Sequence, residues 1–378
     1  MKSFLFVFSF VLTTILSITG CTDEGEREKF YRRICIDGKN AIAGRYEISP
    51  DMGKKGESYR FLYDREGNLT GVDRLLGGKL KDGSFFGDNV ARVKIEHLET
   101  YEKRTYFDAK GSPARNKDGV YSISLLFGED DRPVSRLNYG EFGEFTEDNY
   151  GVTQYSLTSD EEGRIVKTVF YNFSGKRATI DDGGFETVFK YDKDGNMIER
   201  SYFDSSGNLT ENKSGVAVLR QKFDGNGNII EIRYYDEDDK LTELGNGVAV
   251  TQQKFDEYGN IIETGYLGKD GKLKENSMGV AVIKCDFDEY GNIIEQRYFD
   301  LSGDLTEGRF YGFAIRRWKY DEDGRLKETS FLGADGELTN AINEEAAILR
   351  MKYDDDGNIE QVLHFDKEEN PVEDTLVP

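Results

Sequence analysis

The sequence predicts an all-β protein, an elongated array of about ten β-meander repeats that form a continuous twisted antiparallel sheet or a solenoid. Three observations lead to this prediction. The chain aligns with itself at a period of 32 residues. Apolar runs of 3 to 8 residues alternate with clusters of Asp, Asn and Gly, which is the punctuation of strands and turns. The 378 residues include 42 glycines but only 5 prolines, which indicates many turns rather than flexible linkers.

The repeat is clearest in three consecutive units, of which the first reads GVAVLRQKFDGNGNIIEIRYYDEDDKLTELGN. The leading glycine recurs at steps of 32 and, at the last position, 33 residues. Two positions that correspond to the Asp before the first turn, Glu96 and Gly128, are degenerate. The repeat therefore covers most of the chain and varies most in its first third. The leading glycines are Gly87, Gly119, Gly151, Gly183, Gly215, Gly247, Gly279 and Gly312.

Each unit divides into three apolar pieces. In the unit from Gly215 these are Val216–Phe223, Ile229–Tyr235 and the shorter Leu241–Glu243, and each stops at a cluster of turn residues. Asp opens such a turn because its side chain bonds the backbone two residues on, and Gly or Asn closes it with a positive φ. Three strands in each of about ten units predict roughly thirty short strands.

One column of the repeat carries an aromatic residue just before the first-turn Asp. Aromatic rings at identical positions of adjacent units are expected to stack along the array, each pair contributing about 0.5–1.5 kcal/mol beyond the burial of area. An aromatic ladder that binds a ligand would give the same pattern. The column consists of Tyr63, Tyr191, Phe223, Phe255, Phe287, Tyr320 and Tyr353.

The first twenty residues have the form of an export signal. Met1-Lys2 is followed by an apolar stretch, Phe4–Ile18, that is shorter than the roughly 20 residues of a membrane span. The stretch ends in Ile18-Thr19-Gly20-Cys21, which resembles the lipobox of bacterial lipoproteins. The resemblance implies a lipoprotein signal peptide over 1–20 and acylation of Cys21, which would anchor the protein to a membrane. An ordinary secretory signal that happens to contain a cysteine is the alternative.

Two further segments follow the signal. Residues 21–50 do not fit the repeat and are interpreted as a tether and N-terminal cap, since an open array must cover its first edge. Residues 51–378 form the tandem β-repeat domain. Cys35 and Cys285 could pair in an oxidising envelope. Cys285 also stands in a column that tolerates several side chains, which favours a filler role.

The pattern Tyr/Phe-Asp-x-x-Gly-Asn/Arg, as in 190–196 and 319–325, resembles the YD repeat of the RHS family. The Gly-Val-Ala-Val starts are similar to the WG-type β-repeats of bacterial envelope proteins. RHS proteins wind their repeats into a hollow shell and end in a processed toxin domain. This chain stops 12 residues after Asp366 and shows no Asp-Pro-x-Gly processing site. The resemblance therefore implies the β-repeat scaffold and not toxin delivery.

The residues offer little for catalysis. The chain has no G-x-S-x-G, H-E-x-x-H, C-x-x-C or Walker-type loop. His97 and His364 both occupy positions that are structural in the repeat. Segments 192–196 and 354–358 resemble fragments of calcium loops but lack the six to eight oxygen ligands that calcium takes. We therefore expect no enzyme, no metal and no cofactor. A net charge of −22 also disfavours nucleic acid as a partner.

The predicted function is a non-enzymatic lipoprotein of the cell envelope, anchored in the outer membrane, whose scaffold binds a protein or a glycan. Whether it faces the periplasm or the cell exterior stays open. The alternative is a periplasmic enzyme or processing factor with a site in the degenerate repeats 87–182. Tyr258 and Tyr290 are the candidate binding residues because they lie inside first turns, where other units carry Asp or Asn. Alternatively, each ring folds back over its own hairpin.

Overall fold

A computed structural model describes residues 21–22, 26–83, 85–180, 184–354 and 359–372, so the signal segment 1–20 lies outside the described residues. Over the described residues the protein is all-β, with 24 strands in one sheet and a single helix of 4 residues. Every described strand pairing is antiparallel, and consecutive units repeat the same meander. The predicted fold class is confirmed.

The elements follow in chain order. The helix α1 (Pro50–Gly53) begins after Ser49, whose hydroxyl accepts a hydrogen bond from the amide of Met52. The strands are β1 (Cys21–Thr22), β2 (Glu26–Ile36), β3 (Ile42–Ile48), β4 (Glu57–Tyr63), β5 (Leu69–Leu76), β6 (Lys79–Leu80), β7 (Arg92–His97), β8 (Tyr101–Phe107), β9 (Ser122–Phe127), β10 (Pro133–Tyr139), β11 (Gln154–Ser159), β12 (Ile165–Tyr171), β13 (Glu186–Tyr191), β14 (Met197–Phe203), β15 (Val218–Phe223), β16 (Ile229–Tyr235), β17 (Val250–Phe255), β18 (Ile261–Leu267), β19 (Val282–Phe287), β20 (Ile293–Phe299), β21 (Ile315–Tyr320), β22 (Leu326–Leu332), β23 (Ile348–Tyr353) and β24 (Ile359–Phe365).

The sheet is an open meander. From β7 onward each strand pairs with the next along the chain, and β5 joins this series by pairing with β7. At the start, β2 pairs with β1, β3 and β4. Among the described residues the last strand, β24, pairs only with β23. The first and last strands are therefore not joined.

Each unit contributes two strands, not the three that the sequence predicts. In the unit from Gly215, β15 and β16 pair from Val218↔Tyr235 to Phe223↔Ile229. The third piece makes only one bridge, Tyr235↔Leu241, before the next turn begins. Because this piece has only three residues between two tight turns, it cannot form a longer ladder. The units therefore contribute ten strand pairs, instead of about thirty strands, and β1, β2, β3 and β6 bring the described total to 24.

Asp side chains hold the turns. In the first turn of this unit, the Asp224 carboxylate accepts the amides of Asn226 and Asn228, both at 2.9 Å, and the side-chain amide of Asn228 at 2.8 Å. Gly227 takes a φ of +77° to close the turn. Asp192 makes the same bonds in its own turn. The other suggested ion loop, 354–358, lies mostly outside the described residues.

The aromatic column does not stack as expected. The ring pairs among the described residues include no two consecutive members of the column. The reason is distance, because two strands per unit separate equivalent rings by about 10 Å, beyond the 4.5–7 Å of a ring pair. The tyrosines instead reach back to the preceding unit through their hydroxyls. Tyr191, Tyr320 and Tyr353 donate to the carbonyls of Ile165, Ile293 and Leu326 at 2.8, 2.9 and 2.7 Å.

A column of glutamates links the units electrostatically. Glu199 contacts Lys190 of its own hairpin at 2.6 Å and Arg220 of the next unit at 2.8 Å. Glu328 repeats the arrangement with Lys319 and Arg350 at 2.7 and 2.8 Å. Because Glu199 and Glu328 each hold two cations from neighbouring strands, these contacts fix the register between units. The column consists of Glu199, Glu231, Glu263, Glu295 and Glu328.

Candidate functional site

The N-terminal hairpin β2–β3, residues 26–48, is packed against the first turns of many units, and we call it the central hairpin. At its tip, the amide of Ile165 donates to the carbonyl of Gly38 at 2.7 Å. In its middle, Arg45 donates to the carbonyl of Asn226 at 3.0 Å. Farther along, Arg32 donates to the carbonyl of Tyr290 at 2.5 Å. Successive units therefore contact successive parts of one hairpin.

Glycines make these close approaches possible. At several first-turn glycines, a Cβ would collide with the central hairpin or with the segment that follows it: Gly227 faces Arg45, Gly259 faces the Tyr46 ring, and Gly324 faces the backbone carbonyl of Lys55, whereas Gly195 has nothing within 4 Å. The second-turn glycines differ, because a Cβ there would meet nothing within 4 Å. The first-turn edge of these units is thus occupied within the chain. The open second-turn positions are Gly111, Gly143, Gly175, Gly207, Gly271, Gly303 and Gly336.

The two tyrosines singled out in the sequence lie at this occupied edge. Tyr258 is 51% exposed, and the Arg32 guanidinium lies 5.9 Å from its ring centroid. Tyr290 is half-buried, with the Lys55 ammonium 5.0 Å from its ring centroid. Each ring therefore has a cation from the N-terminal segment near it. The sequence gives no signal for these contacts, because the partners are more than 200 residues apart.

A cavity of about 770 Å³ lies between the central hairpin and the sheet. Arg33, Cys35 and Arg45 line it from the hairpin, and Phe223 and Phe255 line it from the units. The Cys35 thiol accepts a hydrogen bond from Arg45 Nε at 3.3 Å. Burial lowers the pKa of Arg33 from its ordinary value. Neither arginine stands out in the sequence, since residues 21–50 lie outside the repeat.

Cys285 does not line this cavity, unlike Cys35. Cys35 and Cys285 are both free thiols. Burial raises the pKa of the Cys285 thiol, which lies 3.8 Å from the side-chain amide of Gln296. The backbone of Cys21 pairs with Arg27 at the edge of β2. Lipidation of Cys21 stays a prediction.

The degenerate units contain a buried polar network. Arg136 bonds Asp118 at 2.6 Å, and its guanidinium lies 4.5 Å from the ring centroid of Tyr155. The Tyr155 hydroxyl donates to Asp148, which also accepts from Asn138 at 3.2 Å. Burial raises the pKa of Tyr155, although Arg136 opposes the shift. Asn138 occupies a column that is aromatic in most units. This replacement is the feature of the sequence that could have indicated the polar network.

The same units present an exposed group of aromatic side chains, which we call the aromatic patch. Phe142 is 90% exposed and Phe173 is 70% exposed, in the second turns of adjacent units. Phe145 is 52% exposed and stacks on Tyr139 with centroids 5.1 Å apart. The Glu147 carboxylate accepts the amide of Phe173 at 3.2 Å and so connects the two units. Residues 137–163 contain seven acidic and no basic side chains.

Other candidate chemistry is sparse in the part of the chain that the structure describes. His97 Nε2 contacts the carbonyl of Leu69 at 2.8 Å, and His364 pairs with Leu349 in the β23–β24 ladder. Within the described ranges there is no group of three or more His, Cys, Asp or Glu side chains arranged to hold a metal ion. No described helix is long and apolar enough to cross a membrane.

No family model matches the chain, and no curated protein matches it. Among solved structures it is similar to the Tc holotoxin pore of Photorhabdus luminescens (12% identity, TM-score 0.26), covering 91% of this chain and 19% of that one. It is also similar to the TcdB2–TccC3 complex (14% identity, TM-score 0.19), covering 84% and 22%. A porin-like protein from Bacteroides uniformis has 10% identity and a TM-score of 0.19, with 72% and 85% covered. The chain thus spans about a fifth of the length of the toxin chains. The chain is a β-repeat protein by its own period and strand pairing.

Proposed function

We propose that this protein is a non-enzymatic lipoprotein of the bacterial envelope, anchored through Cys21, whose β-repeat scaffold binds a protein or glycan through the aromatic patch. The observation that carries the proposal is the exposure of Phe142 and Phe173 in second turns of neighbouring units. Exposed aromatic rings offer a large contact area at a small cost in side-chain entropy, and they are enriched at binding hot spots.

The surroundings of the patch favour one kind of partner. Glu141, Glu144 and Glu147 lie between and beside the exposed rings, within the stretch that lacks basic side chains. Complementary charges across an interface raise the association rate and select partners. A partner with basic groups next to an apolar or stacking surface therefore fits best.

The choice of this edge follows from the packing. The first turns that contain Asn226 and Tyr290 are covered by the central hairpin, as the bonds from Arg45 and Arg32 show. The second turns carry glycines with open space around them. A macromolecule can approach the second-turn edge without displacing any part of the chain.

The test compares three double variants in a binding assay with envelope protein and glycan fractions. The double change Phe142→Ser with Phe173→Ser should abolish retention of the species that the unmodified chain retains. Phe310→Ser with Ile342→Ser is the matched control, since these side chains are 60% and 58% exposed in third turns of later units. Equal retention by the patch variant and the control would contradict the proposal. Loss confined to Tyr258→Asp with Tyr290→Asp would instead locate the partner at the first-turn edge.

A further inference from the structure

The cavity beside the central hairpin has the dimensions of a small-molecule site. Its volume of about 770 Å³ falls within the roughly 300–1,000 Å³ of known ligand pockets. Phe189, Phe223, Phe255 and Ile165 give it apolar walls. Asp37 and Lys39 at the hairpin tip also line it and are exposed, so the cavity is open to solvent at that end.

Two arginines face each other in this cavity. Arg33 and Arg45 are directly opposite in the β2–β3 ladder, and both line the cavity. Like charges in opposed positions of a ladder destabilise it. Neither guanidinium has a carboxylate within 4 Å among the described residues, whereas arginines of the outer face such as Arg220 and Arg350 are paired with glutamates. The cavity therefore places two cations together without a carboxylate in direct contact with either, although Asp256 acts on Arg33 and Asp224 on Arg45 from beyond contact distance.

The bonds of these arginines leave room for a ligand. Arg45 donates to the carbonyls of Asn226 and Gly227 and to the Cys35 thiol, which are neutral acceptors. Arg33 lies 5.2 Å from the ring centroid of Phe255, and no hydrogen bond of its guanidinium occurs within the described ranges. A half-buried guanidinium without an acceptor loses hydration without compensation. An acidic group bound between the two arginines would supply the missing acceptor.

Of the remaining charged side chains that line the cavity, Arg136 and Arg164 are already paired, with Asp118 and Asp160. Asp37 holds the hairpin tip by accepting the amides of Lys39 and Ala41 at 2.8 and 2.9 Å. Asp194 is exposed in its turn. The unpaired charge inside the cavity is therefore positive, although the whole chain carries −22.

We propose that this cavity binds a small organic anion, with its carboxylate or phosphate between Arg33 and Arg45 and its apolar body against Phe223 and Phe255. Bidentate recognition of such groups is what the planar guanidinium favours. This inference is independent of the aromatic patch, which lies in second turns.

The test uses two fluorescent probes that differ only in an acidic group, 8-anilinonaphthalene-1-sulfonate and N-phenyl-1-naphthylamine. The purified chain should bind the sulfonate, and Arg33→Gln should weaken that binding at least tenfold. The affinity for the uncharged probe should change less than twofold. Arg33→Lys should fall in between, because it keeps the charge but loses the fork. Arg233→Gln, on the outer face, is the matched control and should bind as the unmodified chain does.

Two results would overturn the inference. One is equal binding of the sulfonate by Arg33→Gln and Arg233→Gln, with circular dichroism showing both folded. The other is loss of sulfonate binding in Phe142→Ser with Phe173→Ser, which would place the probe on the aromatic patch. Displacement of the probe by decanoate and by decyl phosphate, measured separately, then distinguishes a carboxylate from a phosphate ligand.

Discussion

The packing of first turns on the N-terminal segment predicts that two alanine substitutions in one unit will differ in cost. Gly324 and Gly336 close the first and second turns of the same unit with φ of +77° and +82°. Alanine in this conformation costs about 1–2 kcal/mol at either position. A Cβ at Gly324 would collide with the backbone carbonyl of Lys55, whereas at Gly336 it would meet nothing within 4 Å.

The collision adds a further cost to Gly324→Ala because backbone must move. Overpacking of this kind costs about 1–3 kcal/mol, so the total is about 2–5 kcal/mol, against about 1–2 kcal/mol for Gly336→Ala. Gly291→Ala should lie between them, since its neighbour is the movable side chain of Arg32. Urea unfolding followed by the fluorescence of Trp318, which lies in β21 of the same unit as Gly324, gives the three free energies of unfolding. Equal losses for Gly324→Ala and Gly336→Ala would refute the packing of the N-terminal segment against the turns.

Three other predictions concern the anchor, the repeat and acid. Cys21→Ala should move the protein from the detergent phase to the aqueous phase in Triton X-114 partitioning, and retention in detergent would contradict lipidation. Deletion of 215–246, one whole unit, should leave a soluble, folded chain because Asn260 then replaces Asn228 beside Tyr46. Deletion of 215–230, half a unit, should instead break the strand register. Equal far-UV circular dichroism and equal solubility for the two deletions would count against the repeat assignment. Hydrogen bonds from Arg233 and other neighbours lower the pKa of Glu231 from its ordinary 4.5 to about 2. The ionised Glu231 should contribute about 1–3 kcal/mol to the free energy of unfolding above pH ~4.5, and this contribution should be lost as pH falls towards ~2. In Glu231→Gln, the urea concentration at the unfolding midpoint should therefore fall less steeply with acidification than in the unmodified chain.

The repeat could be predicted because it is a local property of the chain. The spacing of Asp224 and Gly227 specifies a turn by itself, and the strands β15 and β16 follow from the apolar runs on either side. The prediction of a third strand in each unit was wrong because the sequence of a three-residue run does not show how many of its residues belong to the flanking turns. The prediction that rings stack along the column was wrong because stacking depends on the distance between equivalent rings, and this distance depends on the number of strands in each unit.

The contacts that define the candidate sites could not be predicted in the same way. Arg45 reaches Asn226 across 181 residues, and no period relates the central hairpin to the units it contacts. The aromatic patch had a partial signal, since Phe142 lies in the degenerate region. Its exposure depends on which edge of the array the hairpin covers, and only the three-dimensional arrangement shows this.

The central hairpin changes how the array should behave as a whole. In a simple solenoid each unit contacts only its neighbours, so stability is close to a sum of unit and neighbour terms. Here one hairpin contacts units whose first turns begin as far apart as Asp160 and Asp288. Loosening the hairpin would remove contacts from all of these units at once, and would also open the cavity lined by Arg33 and Arg45. A ligand held by these two arginines and packed against Phe223 and Phe255 of the units would therefore stabilise the hairpin against the units, which would couple occupancy of the cavity to the cohesion of the scaffold.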